Sequence, residues 1–395
     1  MEKIYKYLIL SLLLAFLPFR SEAVQLGGNS RISLLTCAPG TEVWSNYGHT
    51  ALRVYDPDSG LDVCFNYGLF SFDTPHFIWR FCTGATDYVV GAQDTDSFLS
   101  EYMYEGREVT EQVLNLDVSA RNRIWEALCV NVQPQNRTYR YNFFYDNCAT
   151  RVRRMIEDNC GFSIGYGSGT RFGTLREVVN HYTEDYPWTR FGVSLLLGSP
   201  ADSPASLVTQ MFAPEVMMDA FEGAQTPYGP LVSEKSRLIP GRESRSPQTS
   251  LPSPSLVLWL LFLVYASFNV IELRKGKRFR ALDIIIWGIT GLMGVVIGFL
   301  VFFSTHPATD PNFLLLWLNP LGLVFAIALC FRRFGKSRAA DVVQIVFMPF
   351  VIAGLAGFLF IPQWFHPALI PLSLCLLSRC ELSVINSLNR SGDRK

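Results

Sequence analysis

In the stretch "YRYNFFYDNCATRVRRMIEDNCG" an aromatic run gives way to a helical pattern at one cysteine, Cys148. A cysteine in the first turn of a helix lies among unpaired backbone N–H groups and at the positive end of the helix dipole. Both favour the thiolate, the form that attacks carbonyl carbon. Its proton needs an acceptor, and "NYGHTALRV" offers His49, just after Gly48 and at the entry of a strand. A helix-borne cysteine facing a strand-borne histidine is an arrangement for nucleophilic acyl transfer.

The competing fate for Cys148 is a disulfide. Residues 24–230 also hold Cys37, Cys64, Cys82, Cys129 and Cys160. In an oxidising compartment such a set reads as a bridged framework, and the protein would then be a non-enzymatic envelope scaffold. Cys148 and Cys160 cannot pair if the helix between them is unbroken. Their separation would be ~18 Å at 1.5 Å per residue, against the ~7 Å between α-carbons that a disulfide tolerates.

Of the other histidines, His306 and His366 fall in loops between apolar segments and His76 in "DTPHFIW". His181, in "TLREVVNHY", is the reserve candidate for the base. No Cys/His spacing resembles a zinc site and no glycine loop for a nucleotide is present, so neither a metal nor another cofactor is expected. A formal net charge of zero argues against a nucleic-acid partner.

These residues need elements to hold them. "RISLLTC" and "HTALRVYD" read as strands, and the turn "PDSG" followed by "LDVCFNYG" predicts a hairpin. Helices are predicted in "DVSARNRIWEALCVNV", with Asp117 or Ser119 as cap, in "NCATRVRRMIEDNCG", with Asp146 or Asn147 as cap, and in "TLREVVNHY". Strands and helices in this order predict an α+β domain over residues 24–230. The polar, Ser- and Pro-rich residues 231–254 read as a tether.

Both ends of the chain address a membrane. Residues 1–23 have a basic start, a short apolar stretch and small residues at Ser21 and Ala23, the pattern of a cleaved secretory signal rather than a retained anchor. Beyond residue 255 come five apolar segments, near 255–273, 281–303, 312–331, 342–361 and 365–378. The first four have spanning length; the last is short and contains Pro367 and Pro371, which reads as re-entrant or tilted. Arg274, Lys275, Lys277, Arg278 and Arg280 fill one loop, and Arg332, Arg333, Lys336 and Arg338 another. The alternate loops lack Lys and Arg. The positive-inside rule therefore puts the α+β domain outside and the tail, 381–395, in the cytoplasm, with a five-helix membrane domain over 255–380.

"WSNYGHTALRV", "FNYGLFSFDTPHFIWRFCTG" and "YNFFYDNCATRVR" resemble the signature blocks of the Lnb-type periplasmic domain of Bacteroidota, a family associated with lipoprotein N-acylation. The resemblance covers about residues 30–225. The His-before-Cys order is also similar to permuted papain-like enzymes, the NlpC-like and lecithin:retinol acyltransferase-like group. The resemblance implies a papain-like α+β fold with Cys148 as nucleophile and His49 as base. It further implies a polar group that orients the imidazole, for which Asn66 on the returning strand is the candidate. Tyr47, Asn147 and the backbone N–H of Cys148 are candidates for oxyanion binding or positioning.

The implied reaction moves an acyl chain from a membrane phospholipid, through a Cys148 thioester, to the α-amino group of a diacylglyceryl-cysteine lipoprotein. The implied location is a bacterial inner membrane. The rival enzyme reading keeps the dyad in a hydrolase, either a peptidoglycan endopeptidase or amidase, or a phospholipase-like enzyme.

Overall fold

A computed structural model describes residues 25–42, 45–242 and 251–392. The expected signal, 1–23, lies outside the described residues, as do 243–250 of the expected tether and the last residues of the tail.

The outer domain is α+β, built on one seven-stranded antiparallel sheet. Its strands are β1 (Arg31–Cys37), β2 (His49–Asp56), β3 (Leu61–Leu69), β4 (Asp87–Asp94), β5 (Val109–Leu114), β6 (Thr138–Arg140) and, after the small β7–β8 pair (Gln225–Thr226 and Gly229–Pro230), β9 (Val232–Ile239). The spatial order is β6-β4-β3-β2-β1-β5-β9. Alternation places Leu52 and Val54 of β2 with Phe65 and Tyr67 of β3 on one face. There they pack against Ala149, Val152 and Ile156 of the Cys148–Asn159 helix. Full burial of Val152 and Ile156 contributes roughly 1.5–3 kcal/mol each to docking this helix on the sheet. The opposite face, with Leu35, Cys37, Ala51 and Cys64, is covered by Phe98 and Tyr102 of the Thr95–Glu105 helix.

β9 corrects the expectation of a tether from 231 onward. "VSEKSRLI" pairs antiparallel with β5 along its length and forms the sheet edge. Its charged residues face solvent, as befits an edge strand, and that polarity is what made it read as a linker.

Five helices are long and apolar enough to cross a membrane: Pro254–Lys275, Arg280–Phe303, Phe313–Cys330, Arg338–Phe360 and Leu369–Asn389. They are named here the first to fifth spans. The third is interrupted between a short turn, Phe313–Leu316, and the helix Leu321–Cys330. Gly291 and Gly294 of the second span lie so close to the 318–323 backbone that a β-carbon at either would clash, the close approach typical of membrane helix packing.

The fifth segment is a full helix rather than a short re-entrant one, and most of the expected tail belongs to it. The hydropathy pattern stops early because it meets Arg379. That side chain is fully buried, binding Asp283 through Nε (2.9 Å) and Asn269 and Glu272 through Nη1 (2.7 and 2.9 Å). Arg278 joins the same cluster, holding Asp283 (2.8 Å), Asp341 (2.7 Å) and Ser383 (2.9 Å). Four of the five spans thus meet at one ion-paired cluster.

The domain sits on the two loops that lack Lys and Arg. Thr305 N donates to Thr83 O (3.0 Å), Gly198 N to Ala308 O (2.7 Å), Ser199 N to Pro311 O (2.9 Å) and Asn312 Nδ2 to Leu195 O (2.9 Å). Asp202 accepts from Trp364 N (3.1 Å) and from the buried Arg176 (2.7 Å). The face bearing the domain is therefore opposite the basic loops, as the charge pattern predicts.

Candidate functional site

The Cys148–Asn159 helix starts where it does because Asn147 and Thr150 form a capping box. Asn147 Oδ1 accepts from Thr150 N (3.0 Å), and Thr150 Oγ1 accepts from Asn147 N (2.8 Å). Gly161, at φ +83°, ends the helix in the left-handed conformation. Cys148 is consequently the first helical residue, half-buried at the margin of the core.

His49 reaches it from β2. The hairpin register sets Ala51 opposite Asn66, so Asn66 stands diagonally across from His49 on the same face. Asn66 Oδ1 lies 2.7 Å from His49 Nε2. A carbonyl oxygen only accepts, so Nε2 carries the proton and donates it. That leaves Nδ1 for Cys148, to which the ring is also hydrogen-bonded. Asn66 is buried, which protects the orienting bond from water.

The electrostatics follow from these contacts. Burial alone would push the Cys148 thiol up. The His49 ring, its hydrogen bond and the backbone N–H groups of Thr50 and Ala149 outweigh it and hold the thiol below its ordinary value. For His49, burial acts to lower the pKa, but the Cys148 charge and the hydrogen bonds to Cys148 and Asn66 raise it. Each partner thus favours the charged form of the other. By contrast, burial pushes Cys64, two residues before Asn66 on β3, up to about 12.

Two glycines make room for this. Gly48, at φ +80°, turns the chain into β2 with Cys37 O so close that a side chain would clash. Gly68, at φ +94° beside a β-bulge, lies between the partners: a β-carbon there would sit 3.8 Å from His49 Cε1 and 3.9 Å from Cys148 Cβ.

The other candidates are placed differently. Asn147 uses both amide hydrogens on Phe143 O (3.0 Å) and Phe212 O (2.8 Å), so it holds the helix start and has no donor left for an oxyanion. Tyr47 packs its ring against Phe143 and Tyr182, beside the chain leading to His49. His181 is exposed and lies 3.4 Å from Arg171, not at Cys148. His76 occupies the N-cap position of the Phe77–Cys82 helix without a side-chain capping bond, His306 Nε2 bonds Phe81 O and His366 Nδ1 accepts from Ala368 N.

All nine cysteines are unpaired. Cys160 donates to Phe162 O at 3.1 Å, at the opposite end of the helix from Cys148. Among the described residues no group of three His, Cys, Asp or Glu side chains could hold a metal ion.

Sequence reasoning missed the Thr50 N–H, Gly68 and Tyr139. Tyr139 has a buried hydroxyl without a hydrogen-bond partner and a ring 4.3 Å beneath the Arg151 guanidinium. The "NYG" shared by "SNYGHT" and "CFNYGL", two glycines flanking the same imidazole, is the signal that could have singled out Gly68.

Two family models match the chain: the Lnb N-terminal periplasmic domain over residues 24–206 and the Lnb transmembrane domain over residues 246–391. A search of curated proteins and one of solved structures returned no match. With both of its domains matched in order, the chain belongs to the Lnb family: a membrane protein with a periplasmic N-terminal domain and five spans.

Proposed function

We propose that this Lnb-family protein is a lipoprotein N-acyltransferase of the bacterial inner membrane, with Cys148 as nucleophile, His49 as base and Asn66 as the group that orients His49. The observation that carries the proposal is the chain of contacts Asn66–His49–Cys148 at a helix N-terminus, in a domain seated on a five-span platform. The outer sheet with the nucleophile's helix packed on it supports a permuted papain-like reading of the fold. Lipoprotein N-acylation, the reaction associated with the family, supplies the substrate class.

In the first half-reaction the Cys148 thiolate attacks an ester carbonyl of a phospholipid. The C–O bond breaks, and the departing alkoxide takes the His49 proton and leaves as lysophospholipid. In the second, the neutral α-amine of a diacylglyceryl-cysteine attacks the thioester. The C–S bond breaks, His49 accepts the amine proton, and the thiolate–imidazolium pair is restored with an amide formed. Each tetrahedral intermediate carries an oxyanion. The N–H of Cys148, one of the free first-turn donors of its helix, is within the same residue as the attacking sulfur and serves as a donor. Both substrates are anchored in the bilayer, which accounts for a five-span platform under an outer domain. A soluble muropeptide would not need it.

The test uses the full chain in vesicles with phospholipid labelled in its acyl chain, together with a diacylated lipopeptide. Label should appear on the protein as a hydroxylamine-sensitive thioester, then on the lipopeptide amine, and Cys148→Ala should abolish both. Label released only as free fatty acid would replace the transferase by a phospholipase-like hydrolase. Label retained on Cys148→Ala would refute the nucleophile.

A further inference from the structure

Residues 69–82, from the last residue of β3 onward, expose an unusual amount of apolar surface. Phe72 is 62%, Ile78 78%, Trp79 61% and Phe81 45% exposed, and no residue of the Phe77–Cys82 helix is buried. A water-facing helix with the sequence "FIWRFC" has the wrong composition for solvent. It is nonetheless held firmly. Arg80 binds Asp87 (2.6 Å) and Ala85 O (3.2 Å), pinning one side to β4. On the other side, Trp79 packs edge-on against Phe299 of the second span (5.4 Å), His306 Nε2 bonds Phe81 O (2.6 Å), and Thr305 bonds Thr83 O. Phe302 and Phe303, the last residues of that span, are 74% and 70% exposed. The apolar surface of the segment is thus continuous with the end of a membrane helix.

The same segment begins at the site. Gly68 lies between His49 and Cys148, Leu69 follows it half out in solvent, and Phe70 stacks on Tyr88 (4.8 Å) and Phe77 (5.7 Å). Tyr88 in turn stacks on Tyr141 (4.2 Å), in the loop that leads to Cys148. A run of aromatic rings therefore joins the wall of the site to the outer end of the second span.

We propose that residues 69–82 form a lip inserted in the outer-leaflet interface, the surface over which the acyl chains of a bilayer phospholipid travel to Cys148. Aromatic side chains with a single arginine suit the headgroup boundary, and the contact with the second span fixes the depth of the lip. That the lip delivers an acyl donor rests on the transferase reading. That it touches lipid does not.

The experiment separates the two. Full-length protein is reconstituted in phosphatidylethanolamine–phosphatidylglycerol vesicles, with and without phospholipid brominated on the acyl chain near the headgroup. The emission of wild type minus that of Trp79→Phe reports Trp79 alone. This difference should be strongly quenched in brominated vesicles, whatever the chemistry of Cys148. An unquenched Trp79 overturns the lip, whether that surface is covered by a second copy, by another protein or by water.

The double variant Ile78→Asp with Trp79→Asp then tests delivery. The ratio of thioester formation from bilayer phospholipid to that from a monomeric short-chain phospholipid should fall about tenfold or more. Alkylation of Cys148 by iodoacetamide serves as the check that the site is folded. An unchanged ratio overturns delivery. Failure of wild type to form any thioester would sink the transferase reading and with it delivery, while the quenching result still decides the lip.

Discussion

Two of the molecule's buried polar clusters, one in each domain, are built on opposite rules. In the membrane bundle, Arg278 and Arg379 are surrounded by Asp283, Asp341, Glu272 and Asn269, and their guanidinium donors are matched by oxygen. Nothing there is left to react. In the outer domain, Asn66 satisfies one nitrogen of His49 and leaves the other to a sulfur that is only half-buried. A saturated cluster is a lock; the other leaves a sulfur for the proposed reaction to use. The burial of charge alone would not distinguish them.

Three substitutions sharpen that contrast, in decreasing order of effect. On the proposed mechanism His49→Ala removes the proton acceptor and should lower thioester formation by about 10²–10⁴-fold with the melting temperature little changed. The pH profile of alkylation supplies the sign. Because its pKa is depressed in the folded protein, Cys148 should stay reactive as pH falls below the ordinary thiol range and lose reactivity only on passing its lowered pKa. His49→Ala should move that loss to higher pH. A profile unmoved by the substitution would mean that the imidazole does not set the thiolate.

Arg379→Met acts on the lock. It leaves Glu272 and part of Asp283 without a counter-charge, a change that costs about 3–5 kcal/mol when a buried pair loses one member. Thermal unfolding in detergent should shift clearly downward, while the pH profile of Cys148 alkylation below the transition stays as in wild type. Were the profile to shift as well, the two clusters would be coupled and the contrast would fail. Asn147→Ala is the smallest change and straddles both rules. Losing the cap should cost about 1 kcal/mol, seen as a modest drop in melting temperature, with the thiolate retained because His49 and the first-turn N–H groups remain.

The hairpin and the Cys148–Asn159 helix were legible in the sequence because their signals are local. Alternation over 49–56 and 61–68, the "PDSG" turn, and the Asn147–Thr150 cap each act within a few residues. Asn66 could be named as a neighbour on the returning strand, but a slip of one residue would reverse its face, and the register that sets it beside His49 came from the fold. What was not legible depended on distant partners. β9 is polar because it is an edge, and only its pairing with β5 makes it a strand. Arg379 reads as the end of a span until Asp283 and Glu272, far back in the chain, neutralise it. Of the two cap candidates, Asp146 and Asn147, the cap is Asn147, but its saturation by Phe143 O and Phe212 O needed the fold.

The buried arginine of the fifth span also dictates an order of assembly. A charged residue at the centre of a lone helix opposes insertion by roughly 2.5–3.5 kcal/mol, and the oxygens that relieve it belong to the first and second spans. Both precede it in synthesis. The last helix therefore enters lipid alongside partners already in place, so truncating or reordering the earlier spans would strand it at the translocation machinery.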